Sequence, residues 1–540
     1  MSSADVLWRY GISRCNPRNQ MASLEHGDES RLTAGELEAQ SHEDGARARL
    51  SGEGMRNRAG EKGQTQPSSV GADANEKLSG YPAAALHEPG LRVPDKDGLI
   101  DWVRQHFDQL DSDKSGSIGK YEIERAMQDP KLATADGAVY LSAMHDQIGV
   151  WSTAFEKSGQ TGYSRAGVEK FELAKNDKEL VAKNQDKLNA SHTAWDFGRV
   201  DSDYSTKITL DELNKAIARP GFGTGQRHAF EMAKQYYDQL LYVHTDKSKL
   251  SAEEQKKHAA EGVTKADLND LPDPKAKEVV FMGNSINYFQ ARLEEERAHP
   301  DQIASQGMNN SCFFMAPVIQ LQMRDPQAIK NMIHDNPDGT RTVTFPGLKD
   351  HPITVGAPTE AELATYSNNR DINTIEKAFA IHHYEVERDK AKADKKDPPE
   401  EFPEPSERLQ FGMASEALEM LTGKKVEKFE PGPVNELELH DRLAAAAENH
   451  EQMIVGSKDS EENESYGYTP RHSYMATYDP SSRELTLTNP LWLHFDPLEP
   501  VTLNHTPIDG KNDRQFKINL QDLRIKFFEV AHTKGQDAPK

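Results

Sequence analysis

Four acidic residues, Asp111, Glu156, Asp201 and Asp246, stand at equal steps of 45 along the chain. Each follows an apolar-aromatic stretch with helical spacing: Trp102, Val103, Phe107 and Leu110 before the first; Ile148, Trp151 and Phe155 before the second. Trp195, Phe197 and Val200 precede the third, and Tyr236, Tyr237, Leu240 and Leu241 the fourth. Seven positions beyond each of the first three comes one apolar residue, Ile118, Tyr163 or Ile208, and then a second helical stretch. A repeat of this length is one supersecondary unit that cannot bury its apolar face alone and must pack on its neighbours. Residues 98 to about 270 are therefore expected to fold as four helix-loop-helix units.

The first loop, Asp111 to Glu122, carries oxygen donors at the spacing a calcium ion needs. Calcium takes six to eight oxygens at about 2.3 to 2.6 Å. Asp111, Asp113 and Ser115 offer side-chain oxygens, Ser117 a backbone carbonyl, Gly119 a water-mediated contact and Glu122 both carboxylate oxygens. Gly116 permits the positive-φ bend that wraps the loop round an ion. The third loop keeps the donors as Asp201, Asp203, Ser205, the carbonyl of Lys207, and Glu212, but has Thr206 at the bend. A β-branched residue resists positive φ, so this site is expected to be the weaker. The loop at Glu156 lacks the acidic positions and has Gly167 where the bidentate Glu belongs; it is expected to be empty of calcium. The fourth, from Asp246, reaches its apolar residue Val263 only after the charged insertion Ala252 to Glu261 and is read as non-binding. The block resembles an EF-hand domain of the calmodulin-type sensors, most closely at the first loop. That resemblance implies loops joined in pairs by a short β contact, and bound Ca2+.

Charge and cysteine content exclude several classes. The balance of 65 basic and 88 acidic side chains is −23, so a nucleic-acid backbone would be repelled. The longest apolar runs fall well short of the ~20 residues of a membrane span, and no basic-then-apolar leader opens the chain. Cys15 and Cys312 are too few and too far apart for a disulfide framework or a CxxC metal site. The expectation is a cytoplasmic protein, with leaderless secretion the other route consistent with the sequence. Residues 1–95 are rich in Gly, Ser, Glu, Arg and Gln without sustained period and are read as a disordered leader.

Beyond the repeats, residues 273–300 are expected to form a connector with a helix over 284–298. From 301 to 532 helices are expected over 312–323, 372–390, 414–421 and 436–449. Strands are expected over 341–345, 452–456, 473–478, 484–488 and 515–519, with a solvated loop over 390–405. Cys312 opens an apolar helix, where N-terminal N–H groups and the macrodipole favour the thiolate. His472 opens one strand and Asn489 closes the next, so a hairpin turning at 479–483 would bring them to the same end. An imidazole to exchange a proton with the sulfur, and a carboxamide to fix its tautomer, are what thiol catalysis requires. Gln306, six residues before the cysteine, is placed to donate to an oxyanion together with the Cys312 N–H.

These segments resemble the calpain family of papain-like peptidases. Gln306-Gly307 through Cys312-Phe313 is similar to its Gln-Gly…Cys-Trp segment, Arg471-His472-Ser473-Tyr474 to its Gly-His-Ala-Tyr, and Thr488-Asn489-Pro490 to its Arg-Asn-Pro-Trp. Ile375-Glu376-Lys377-Ala378-Phe379-Ala380 is similar to its Leu-Glu-Lys-Ala-Tyr-Ala helix, and Glu416 to Gly423 to its Glu-Asp-Phe-Thr-Gly-Gly segment. Asn310-Ser311 stands in place of Gly-Asp, Phe313 in place of Trp, and Leu491-Trp492 moves the shielding aromatic by one place. The resemblance implies a cysteine endopeptidase acting on proteins or peptides through Cys312, His472 and Asn489, with Gln306 at the oxyanion. A papain-fold acyl transferase, and an inactive fold serving as a calcium-dependent interaction protein, are the alternatives. The expected organisation is multidomain: leader 1–95; all-α EF-hand domain 96–272, which offers a docking surface for partners; connector 273–300; α+β papain-like core 301–532; tail 533–540. Within the core, a helical lobe (301–435) precedes a β lobe (436–532).

Overall fold

The structure, a computed structural model, describes residues 96–157, 159–195, 197–202, 205–218, 224–409, 412–458, 471–490 and 515–535. The leader, the final residues of the tail, Asp203, and the pair Leu491-Trp492 lie outside them. The described chain mixes many helices with three antiparallel sheets.

Helices Lys96–Leu110 and Lys120–Met127 flank the first loop, and Ala135–Ala154 and Arg165–Asn176 the second. The two loops meet through β1 (Ser117–Ile118) and β2 (Tyr163–Ser164), with Ile118 opposite Tyr163. The apolar residues spaced along the first helix are buried, because Leu99, Val103, Phe107 and Leu110 share one face. Trp151 stacks with Phe155, Tyr163 and Phe171 at centroid distances of 4.5 to 5.1 Å and closes the core of this pair. Around the third loop stand Phe197–Val200 and Leu210–Ala218, and around the fourth Tyr237–Leu241 and Lys265–Asp270. Ile208 and Val263 exchange backbone hydrogen bonds of 2.7 and 2.9 Å, the counterpart of the first pair's β contact. The charged insertion forms its own helix, Ala252–Glu261, capped reciprocally by Ser251 and Glu254.

The connector differs from expectation. Its helix runs from Pro274 to Ala298, ten residues longer at the start, because Pro274 sits at the first helical position and Asp273 accepts from the N–H groups of Lys275 and Ala276. Val279, Met282, Ile286, Phe289 and Leu293 extend a buried stripe that packs along the Ala135–Ala154 helix. The same core takes in Ala361, Leu363, Ala364 and Tyr366 from and just beyond the helix Glu360–Thr365. This helix is a wall shared by both halves rather than a tether.

Six strands form the main sheet in the order β10 (Gln515–Asn519), β9 (Glu484–Thr488), β8 (Ser473–Asp479), β7 (Met453–Ser457), β11 (Phe527–Thr533), β6 (Val426–Phe429). Its centre is covered on both faces. Ile454 and Met475 point toward the helices Cys312–Arg324 and Ala414–Thr422, whereas Met453, Val455, Tyr474 and Ala476 point toward Glu436–Glu448 and Leu520–Lys526. The alternation is the period-two signature of a strand, and it locks the register of β7 against β8. A smaller sheet of β3 (Ile333–Asp335), β4 (Thr340–Val343) and β5 (Ile353–Gly356) stands beside the helix Arg370–Ala393. The loop expected over 390–405 is exposed through most of its length, but its end is not: Glu404 and the turn Pro405–Arg408 are tucked against buried charge on the neighbouring helices.

Candidate functional site

Three elements converge on the cysteine. Cys312 begins its helix behind Ser311, with its side chain 8% exposed. His472 directly precedes β8, and both its backbone groups are held by Ser457: its N–H donates to Ser457 Oγ at 2.9 Å, and its carbonyl accepts from the Ser457 N–H at 2.9 Å. Asn489 follows β9, which pairs with β8 residue for residue from Met475–Thr488 to Asp479–Glu484. The hairpin thereby sets His472 Nε2 2.8 Å from Asn489 Oδ1, both residues being buried. The Cys312 sulfur lies against the start of the same strand, with its long contact to the Arg471 carbonyl at 3.9 Å. Gln306 is tied to the end of β9 by its N–H, which donates to the Pro490 carbonyl at 2.9 Å.

Burial dominates the electrostatics. It pushes the Cys312 thiol above its usual range, opposed by hydrogen bonds from Ser473 and from the N–H groups of Phe313 and Cys312 at the helix start. It also holds the His472 imidazole down at about 4, with the bond to Asn489 acting upward. Burial thus works against charge on either partner. Gln306 donates its side-chain amide to the Asn309 carbonyl at 2.8 Å, and its Oε1 has no hydrogen-bond partner.

Several positions that matter here carry no assigned role in the sequence motifs. Glu376 is fully buried and gathers the segment ahead of Cys312: Oε1 accepts from Asn309 Nδ2 and Ser311 Oγ, each at 3.0 Å, and Oε2 from the Ser367 N–H at 3.2 Å. Arg292 of the long helix reaches the same region, with a 3.4 Å bond to the Gln306 carbonyl, 3.2 Å to Tyr288 Oη, and a bond to the Tyr366 carbonyl. Arg471 adopts φ of +49°, a region that favours glycine, immediately before the histidine. A Cβ on Gly412 would lie 2.4 Å from the Phe313 ring, so the chain passes directly over the residue after the cysteine.

The first loop brings the carboxylates of Asp111, Asp113 and Glu122 within 4.8 Å of one another. Gly116 takes φ of +86°, and its N–H donates to Asp111 Oδ2 at 3.0 Å. The third loop repeats this arrangement: Thr206 takes φ of +66° and donates from its N–H to Asp201 Oδ2 at 2.9 Å. Ser115 Oγ donates to the Ser117 carbonyl and Ser205 Oγ to that of Lys207, both at 2.9 Å. Glu122 and Glu212 each accept from the residue after the opening Asp at 2.7 Å. The second loop is filled from within. Glu156 accepts from Trp151 Nε1 and the Ser164 N–H, each at 3.0 Å, and a Cβ at Gly167 would lie 2.1 Å from its Oε1. In the fourth, Asp246 caps a short turn and Asp267 is spent on the Thr264 N–H and hydroxyl.

No helix among the described residues is long and apolar enough to cross a membrane. Compared with known proteins, the chain matches no family model and no curated protein.

Proposed function

We propose that the protein is a calcium-binding cysteine endopeptidase of calpain-like type, with an EF-hand block ahead of a papain-like core. The observation that carries the reading is the buried His472–Asn489 hydrogen bond beside a cysteine at a helix start. An amide oxygen only accepts, so Nε2 carries the ring proton and Nδ1 is the basic nitrogen. Cys312 attacks the scissile carbonyl as His472 takes its proton, the ring returns that proton to the leaving amine, and water, deprotonated by the same ring, then cleaves the thioester to release the carboxylic acid and the thiol. Asn489 holds the tautomer, and the Cys312 N–H with the Gln306 amide stabilises the oxyanion. Calcium would be held by Asp111, Asp113, Ser115, Ser117 and Glu122, and by Asp201, Asp203, Ser205, Lys207 and Glu212; it supplies positive charge that fixes each loop. Arg292 on the Gln306 carbonyl offers a route by which movement of the long helix would reach the oxyanion donor.

A non-catalytic scaffold is the second reading, favoured by the raised thiol and by a Gln306 amide engaged on Asn309. Hydrolysis of casein with and without calcium, on wild type and Cys312→Ala, separates them. A peptidase loses activity by about 10³-fold or more without its nucleophile. A wild type that neither cleaves casein nor is alkylated at Cys312 by a vinyl sulfone is the scaffold.

A further inference from the structure

We propose that Glu124, His145 and Glu407 form a binding site for one divalent transition-metal ion of the zinc class, where the loop-bearing helices meet the catalytic half. The three come from distant parts of the chain: Glu124 from the helix Lys120–Met127, His145 from Ala135–Ala154, and Glu407 from the turn Pro405–Arg408. Each presents a ligand atom within 4.8 Å of the others. His145 Nε2 lies 3.8 Å from Glu124 Oε1 and 3.7 Å from Glu407 Oε1.

Two features distinguish this cluster from an ordinary ion-pair network. Glu124 is wholly buried, yet neither of its carboxylate oxygens receives a hydrogen bond. His145 is nine-tenths buried, and its Nε2, aimed at both carboxylates, has no hydrogen-bond partner. Buried polar atoms left this way are costly, whereas a metal ion would bind all of them at once. Lys120 gives the cluster partial compensation. Its ammonium contacts Glu407 Oε2 at 2.9 Å, stays 3.6 Å from Glu124, and lies over the Phe402 ring.

The donor set selects the metal. One imidazole with carboxylates and no thiolate suits zinc and its neighbours better than calcium, which prefers oxygen alone. Bonds of about 2.0 to 2.1 Å in tetrahedral geometry put ligand atoms about 3.4 Å apart, so the two histidine–carboxylate separations need to close by only a few tenths of an ångström, and the two carboxylates, within 4.8 Å of each other, by a side-chain adjustment. Water would complete the fourth position. Tyr366 Oη donates to Glu407 Oε1 at 3.0 Å, orienting the oxygen that faces His145.

The neighbouring carbonyl gives the site its consequence. Ser406 O accepts from Asn309 Nδ2 at 3.0 Å, and Asn309 O accepts the Gln306 amide. Metal on Glu407 would therefore brace the segment that carries the oxyanion donor.

The test uses the full chain carrying Cys15→Ser and Cys312→Ala, so that no thiol takes metal, freed of metals with a chelator and held in excess calcium. Titration with Co2+ followed by visible absorption, and with Zn2+ by calorimetry, should find one equivalent with a tetrahedral d–d spectrum lacking sulfur charge transfer. Affinity should fall by about tenfold or more in Glu124→Gln and His145→Gln. It should rise in Lys120→Met, where the competing ammonium is gone. Absence of a stoichiometric site, or uptake indifferent to His145→Gln, overturns the proposal. If the buried substitutions unfold the chain, Lys120→Met decides, and no gain in affinity there overturns it.

Discussion

Asn489 Oδ1 accepts the Nε2 proton of His472 at 2.8 Å, across the open end of the β8–β9 hairpin and away from solvent. Because the carboxamide oxygen has no proton to give, this single contact settles which ring nitrogen is basic.

The first prediction concerns that ring. His472 should titrate near 4 by NMR, and Asn489→Ala should move it lower still, since the lost bond acts upward. The folded value lies below the ordinary 6.5, so the neutral ring contributes stability that is full above about 6.5 and lost as pH falls through about 4. The contribution is on the order of 3 kcal/mol. Urea unfolding at pH 7 and pH 4.5 should show a smaller acid loss in His472→Gln than in wild type. A His472 midpoint near 6.5 would contradict the buried geometry.

Backbone strain at the third loop gives the second. Thr206 holds φ of +66° where Gly116 holds +86°. Thr206→Gly should stabilise the chain by about 1 kcal/mol, and Gly116→Ala should cost about the same. A Cβ at Gly116 meets nothing within 4 Å, so the cost there is conformational alone. Chemical denaturation of the three chains checks both signs.

Arg471 permits a cleaner comparison. Arg471→Gly and Arg471→Ala both remove the guanidinium, and only glycine is at ease at φ of +49°. The glycine variant should be the more stable by about 1 kcal/mol. Equal midpoints would mean that the segment before His472 relaxes without penalty.

Glu376 is the fourth. Glu376→Leu strands the Ser367 N–H and one amide proton of Asn309, whereas Ser311 Oγ keeps Asn309 Oδ1 at 2.7 Å, and should cost about 3 kcal/mol. If the peptidase reading holds, turnover should fall by about 10²-fold through misplacement of the Cys312 segment. Glu376→Gln, which keeps one acceptor, should recover part of both.

Much of this was written in local pattern. The 45-residue repeat places the first two loops most clearly, because long helices with apolar spacing, Lys96–Leu110 and Ala135–Ala154, enter them, whereas only Phe197–Val200 and Tyr237–Leu241 enter the third and fourth. Strands β9 and β10 keep the expected bounds, and the Cys312 helix keeps its start and gains one residue at its end. What escaped is long-range. Strand β6, Val-Glu-Lys-Phe, is short and polar, and only its distant partner β11 makes it a strand; β3, Ile-His-Asp, is shorter still and owes its pairing to the neighbouring β4. Glu376 was visible as a lone acid among Ile372, Ile375, Ala378 and Phe379, all buried, but its partners 65 and 67 residues away were not. Glu404 and Glu407 close a run of Lys, Asp, Glu and Pro that reads as solvent-facing, and their burial depends on helices contributed from elsewhere.

The helix Pro274–Ala298 lines the core of the first loop pair and also grips the Gln306 carbonyl through Arg292. Its apolar stripe has no solvent-facing side to fall back on if either neighbour is removed. Cutting the chain ahead of it would leave Val139 and Met144 without its cover, and cutting behind it would do the same to Ala361, Leu363 and Tyr366. Neither half keeps a closed core once parted at this helix, so whatever the loops transmit to the Cys312 segment passes through residues that both halves need in order to fold.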